Sequence, residues 1–154
     1  MRIERYLTRN ANLRADKTAI VAGAKRLTYA EVDARSDRLA AALARAGVRR
    51  DDRVLVFMDN CWEAAVAIFA VLKAGATFSP VNPSTKADKL AYIIDDCEPS
   101  AILTQAKLAP IALQAKSGTA RGDLFVASTA AANGSVPDGA ASLAEAMETD
   151  GAAP

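Results

Sequence analysis

The chain contains no histidine, which removes the Ser-His and Cys-His nucleophile pairs and every His-containing metal site at once. Its two cysteines, Cys61 and Cys97, lie far apart without a paired-partner motif and read as buried reduced thiols rather than as a disulfide or metal site. Asn60 stands ahead of an apolar helical run, where it could hold an anionic group at the helix N-terminus. Capping of that helix accounts for the same residue, because Glu63 follows three positions later as in a capping box. Asp95-Asp96 suggests a cation or acid/base pair, but adjacent helical residues diverge by about 100°. The two carboxylates therefore cannot converge on one substrate, and they read as a solvated helix end.

Phosphate loops fail on spacing. Neither Gly-x-Gly-x-x-Gly nor Gly-x-x-x-x-Gly-Lys-Ser/Thr occurs. Lys116-Ser117-Gly118-Thr119 lacks both the glycine spacing and the preceding strand that would aim N–H groups at a phosphate. Arg121-Gly122-Asp123 spells an adhesion tripeptide and Asn133-Gly134-Ser135 a glycosylation acceptor; without a secretion signal both read as loop composition. No residue is assigned a catalytic, cofactor-binding or metal role on these grounds.

The elements that would position any chemistry centre on Arg53 to Pro83. Val54 to Met58 is a continuous apolar run, as in a strand buried on both faces of a parallel sheet. The following helix, Cys61 to Ala74, carries Trp62, Val66, Ile68, Phe69, Val71 and Leu72 in most directions, so it must be covered on two sides. Gly75 stops it, with Lys73 at the negative end of its dipole, and a second strand leads to Pro80-Val81-Asn82-Pro83. The two strands should lie side by side and run the same way, joined by a right-handed crossover.

Ahead of this unit, Ile3 to Leu13 reads as a covering helix with Ile3, Tyr6, Leu7 and Leu13 near one face, and Lys17 to Tyr29 as a hairpin turning at Gly23-Ala24. Thr28-Tyr29-Ala30-Glu31 is a capping box for a helix ending at Gly47, with Glu31 and Arg35 paired at i,i+4. The run Arg49-Arg50-Asp51-Asp52-Arg53 reads as a solvated turn. Ser84 to Asp88 is a second cap signal, followed by Leu90, Ile93, Ile94 and Cys97 at helical spacing and closed by Glu98-Pro99. Ser100 to Thr104 and Leu124 to Ala127 read as strands; between them Pro110 must either start a helix or kink one. Thr129 to Ala141 reads as a mobile loop, and Ser142 to Met147 as one short capped helix.

The fold class is therefore α/β, an open, mostly parallel sheet with helices on both faces and a short N-terminal hairpin. Ligands of such sheets bind beyond the carboxyl ends of the strands, here Asp59-Asn60, Val81 to Ser84, Thr104-Gln105 and Ser128-Thr129. Nineteen basic and eighteen acidic residues leave a net charge of +1, with no basic stripe interleaved with aromatics, so nucleic-acid binding is set aside. The longest uncharged apolar run is far below the roughly 20 residues of a membrane span, and the charged N-terminus is unlike a signal peptide, so the expected compartment is cytoplasmic.

In order and spacing, Leu27 to Val32, Asp52-Arg53-Val54, Asn60 through Val71-Leu72-Lys73-Ala74-Gly75-Ala76, Pro80 to Pro83 and Leu90 to Ile93 resemble the opening of the AMP-forming acyl-activating superfamily. The resemblance covers about residues 1–127. It implies a partial N-terminal portion of a larger adenylating domain, with residues 128–154 a flexible loop and one short helix ahead of the ATP-binding loop. For the complete enzyme it implies ATP, Mg²⁺ and CoA, a carboxylic acid substrate, and an acyl-adenylate passed to a thiol. The family's Ser/Thr/Gly-rich loop ending Pro-Lys-Gly, its adenine and ribose motifs and its lid lysine have no counterpart in this sequence, so the chain alone is expected to be inactive. The expected partners are the remainder of the adenylating domain and, through an exposed apolar face, a second copy. Two other classes stay open, a non-catalytic interaction module derived from such an enzyme and a small nucleotide-binding α/β protein.

Overall fold

The computed structural model describes residues 2–149. Helix α1 (Glu4–Leu13) precedes an antiparallel hairpin of β1 (Thr18–Ala22) and β2 (Lys25–Thr28), then α2 (Tyr29–Arg45). Next come β3 (Arg53–Phe57), α3 (Trp62–Lys73), β4 (Thr77–Pro80), α4 (Ala87–Cys97), β5 (Ala101–Thr104), α5 (Ala109–Ser117) and β6 (Phe125–Ser128). A two-residue β7 (Ala141–Ser142) and α6 (Leu143–Glu148) complete the described chain. Strands β3 to β7 form one all-parallel sheet in the order β4-β3-β5-β6-β7.

The apolar run in β3 is continuous because each face of the sheet is covered. Val54 and Val56 join a core built with Leu39 and Leu43 of α2, Val66 and Val71 of α3, and Leu143 and Met147 of α6. Leu55 and Phe57, alternating with them, meet Leu90 and Ile94 of α4 and Ala112 and Ala115 of α5 on the other side. Strands β3 and β4 pair in parallel from Arg53 opposite Thr77 to Val56 opposite Pro80, as the strand, helix and strand pattern requires.

Local chemistry sets several boundaries, although among the described helices only α2 and α6 carry a side-chain N-cap bond. The Thr28 side chain accepts from the Glu31 N–H at 3.2 Å while the Thr28 N–H donates to the Glu31 carboxylate at 2.8 Å, which starts α2. The Glu31 carboxyl is held below its usual range, chiefly by that Thr28 N–H. Gly75, at φ 77°, takes the left-handed turn after α3, where the Gly75 and Ala76 N–H groups close on Leu72 and Val71. Pro110 lies in the first turn of α5, so it starts that helix rather than kinking one.

Four expectations are corrected. Asn60 does not cap α3: the extended N-cap conformation falls one residue later, on Cys61 (φ −133°, ψ 167°), which makes no side-chain cap bond. Ser84 does not cap α4 either; its N–H and hydroxyl donate to Asn82 Oδ1 at 2.9 and 2.8 Å, and Lys86 holds the N-cap position. On α1 only Leu7 and Ala11 are buried, whereas Ile3, Tyr6 and Leu13 are exposed, because α2 and α3 contact one side of the helix alone. Finally, Ala141 and Ser142 pair with Ala127 and Ser128, so the stretch read as a loop ends in a fifth strand. The short helix capped by Ser142 forms as expected, its hydroxyl accepting from the Glu145 N–H at 3.2 Å, and Leu143 and Met147 enter the core.

Candidate functional site at the carboxyl end of the sheet

The strand order places a topological switch point between β3 and β5. The chain leaving β3 crosses to α3, on the face shared with α2, while the chain leaving β5 crosses to α5, on the opposite face with α4. In a doubly wound sheet the diverging loops leave a crevice at this point, the usual place for a ligand. Here Asp59 and Gln105 stand on the two sides of it.

The crevice is bridged by side chains. The Asp59 N–H donates to Gln105 Oε1 at 2.8 Å, and Gln105 Nε2 donates back to Asp59 Oδ2 at 3.1 Å. Lys107 Nζ ion-pairs with the same carboxylate. These partners, Lys107 first and Gln105 second, hold the Asp59 carboxyl below its usual range. Beneath the clasp the buried Thr104 hydroxyl donates to the Phe57 carbonyl at 2.8 Å, tying β5 to β3. Alongside it the Ala106 N–H donates to Thr129 Oγ1 at 3.1 Å, tying the ends of β5 and β6.

Three clefts open around this rim. One of about 380 Å³ lies over Gln105, Lys107 and Thr129 to Ala132. A second, about 350 Å³, runs from Met58 and Asn60 past Ile68 to the Pro80–Pro83 turn. A third, about 240 Å³, is walled by Trp62, Glu63, Ala130, Leu143 and Met147. Trp62 is itself flanked by two cations, with Lys25 Nζ 5.5 Å and Arg35 Cζ 5.8 Å from its ring centre.

All four predicted strand exits reach this end, Asp59 and Asn60, Val81 to Ser84, Thr104 and Gln105, and Ser128 and Thr129, although Asn60 makes no cap. The acidic pair and the loop motifs lie elsewhere. Asp95 and Asp96 are exposed near the C-terminus of α4, at the amino end of the sheet, where the Arg53 guanidinium donates to the Cys97 carbonyl. Lys116 to Thr119 closes α5 at that same end, and Arg121 reaches the Pro99 carbonyl there. Asn133 accepts from the N–H and hydroxyl of Ser135 in a turn after β6. Cys61 and Cys97 are both free, and burial pushes the Cys61 thiol up, away from nucleophilic thiolate character.

Lys107 and Trp62 were not recognised as parts of this rim. The pairing of Asp59 with Gln105 joins residues 46 apart; its one sequence-level trace is that each follows a strand that could pair in parallel with the other. The polar groups of the rim are turned on one another. Both the N–H and the carboxylate of Asp59 are engaged within the chain, and Lys107 is committed to that carboxylate. Among the described residues no group of three or more His, Cys, Asp or Glu comes together as a metal site.

Comparison with known proteins identifies the scaffold. Residues 7–151 match the family model of the AMP-binding enzyme. The dimodular nonribosomal peptide synthase of Bacillus subtilis (strain 168) is 38% identical over 101 residues, covering 66% of this chain and 4% of that protein. The solved fatty acyl CoA synthetase of Mycobacterium tuberculosis superposes with a TM-score of 0.80 at 26% identity, over 99% of this chain and 29% of its own. The benzoate CoA ligase of Burkholderia xenovorans LB400 shares the fold, with a TM-score of 0.85 at 24% identity over 100% of this chain and 29% of its own. The chain thus spans under a third of the length of each of these proteins. With a family match running from α1 past α6 on the same doubly wound frame, the chain belongs to the AMP-binding enzyme family.

Proposed function

We propose that this chain is the N-terminal part of a longer, cytoplasmic ligase that activates a carboxylic acid as an acyl-adenylate, using ATP and Mg²⁺, and passes the acyl group to a thiol such as that of CoA. Its first α/β subdomain runs through α6, because β7 and α6 complete the sheet and core begun by residues 1–127, and the ATP-binding loop would follow. The family match over residues 7–151 carries this reading. It is supported by a relative named as a nonribosomal peptide synthase and by structural neighbours named as a CoA ligase and a fatty acyl CoA synthetase.

In such a reaction a carboxylate oxygen attacks the α-phosphorus, and cations and N–H donors offset the developing charge while pyrophosphate departs. This chain's contribution is positional. Its rim groups are paired among themselves at Asp59, Gln105, Lys107 and Thr129, so they present a preorganised wall rather than free donors. No catalytic, nucleotide-binding or metal role is assigned to any of its residues, and the chain alone is inactive.

ATP–pyrophosphate exchange over a panel of carboxylic and amino acids tests this. The 154-residue chain should give no exchange, and the same chain extended along its reading frame should give acid-dependent exchange. Exchange by the 154 residues alone would overturn the reading. So would a reading frame with no Ser/Thr/Gly-rich continuation ending Pro-Lys-Gly, which would favour the non-catalytic module.

A further inference from the structure

The side of α1 turned away from the core carries Ile3, Tyr6 and Leu13, exposed at 63%, 52% and 68%. Helical spacing puts Tyr6 and Leu13 within about 20° of each other, with Ile3 one turn before Tyr6. They form an apolar ridge. The opposite side is engaged, through buried Leu7 and Ala11 and through Thr8 Oγ1, which donates to Asp33 at 2.9 Å.

Exposed Arg2, Arg5 and Arg9 run beside the ridge. Arg2 has a carboxylate nearby, Glu4 at 3.9 Å. At the foot of the ridge, Arg50 and Leu72 join Arg2 and Ile3 in lining a shallow groove of about 280 Å³. Arg50 is matched only loosely by Asp51, at 3.7 Å. The surface is therefore cationic as well as apolar.

We propose that this face of α1 docks on an anionic lipid bilayer. Charge selects an anionic partner, since guanidinium groups flanking a ridge pair with phosphate. Shape favours a bilayer over a protein groove, because the apolar groups project from a convex, single-helix ridge that a deformable headgroup layer can accept. Aliphatic tips entering the acyl boundary, a tyrosine at headgroup level and arginines on phosphate make up the interfacial helix pattern. No helix among the described residues is long and apolar enough to span a membrane, so the contact would be peripheral.

Flotation of the 154-residue chain, and of the same chain extended along its reading frame, with phosphatidylcholine vesicles, with and without phosphatidylglycerol, tests the proposal. An extended chain that does not float would make the rest of the protein the occupant of this face and overturn it. The chain should float with the anionic vesicles only, and added salt should release it. Ile3→Asp with Leu13→Asp should abolish flotation, and Arg5→Glu with Arg9→Glu should weaken it by about tenfold or more. All four side chains are exposed, so circular dichroism and the denaturation midpoint should stay unchanged. The proposal is overturned by failure to float, by equal binding to neutral vesicles, or by variants that float normally. It is also overturned if the apolar pair instead dissolves a dimer seen by sedimentation, which would make the occupant a second copy.

Discussion

Lys73 shows how much a single side chain can do beyond its sequence role. Its position in the last turn of α3 reads as dipole compensation, yet its ammonium lies 2.7 Å from both Asp33 and Asp37 and 3.0 Å from the Asp33 carbonyl. Three acceptors thus meet the three donors of one buried cation. Lys73→Met should destabilise the chain by about 1–3 kcal/mol, since the partly buried Asp33 carboxylate would lose its cation and keep only the Thr8 hydroxyl. A urea titration in which the variant matches the parent would exclude that role. At the rim, Lys107→Ala should raise the Asp59 pKa, by NMR titration, because Lys107 is the largest of the groups lowering it. With its folded pKa depressed, Asp59 adds stability above its unfolded pKa, and that contribution is lost as pH falls through the folded value. In Lys107→Ala the folded value moves up toward the unfolded one, so the loss should be smaller and should be complete at a higher pH.

At the scale of elements, local chemistry was legible where it is self-contained. The Thr28–Glu31 box and the left-handed turns at Gly47 and Gly75 each lie within a few residues of the helix ends they define. Thr28→Ala should cost about 1 kcal/mol, read from the thermal or urea midpoint. Asn60 failed as a cap because α3 starts one residue later, with Cys61 in the N-cap conformation, an offset that residue type and spacing do not show. Glu98 ends α4 in the left-handed region at φ 46°, where a side chain is strained. Glu98→Gly should therefore stabilise the chain by roughly 0.5–1 kcal/mol, and a destabilised variant would show that the Glu98 side chain contributes more than its backbone costs.

For the whole molecule, the doubly wound sheet was readable because β3 and β5 are apolar on both faces. Strand β7 was not, since two residues inside an Ala- and Gly-rich stretch carry no period. Its anchor is the helix that follows, through fully buried Leu143 and Met147. Leu143→Ala should cost about 2–5 kcal/mol, far more than a substitution in a loose tail, and equilibrium unfolding would decide between the two. The site was legible only as a location, the carboxyl ends; which side chains meet there depends on register between strands distant in sequence.

The grip of Gln105 on Asp59 has a mechanical side. With Thr104 bonded to Phe57 and Ala106 bonded to Thr129, the exits of β3, β5 and β6 are stitched into one continuous collar. A tug on any one exit is shared by the other two, and reaches Trp62 and the first turn of α3 through Asp59. Past the last stitch the chain is held by its own turns, Ala131 with Ser135 and Ala140 with Pro137, before Ala141 and Ser142 rejoin the sheet beside β6, so the collar is closed on both sides of that excursion.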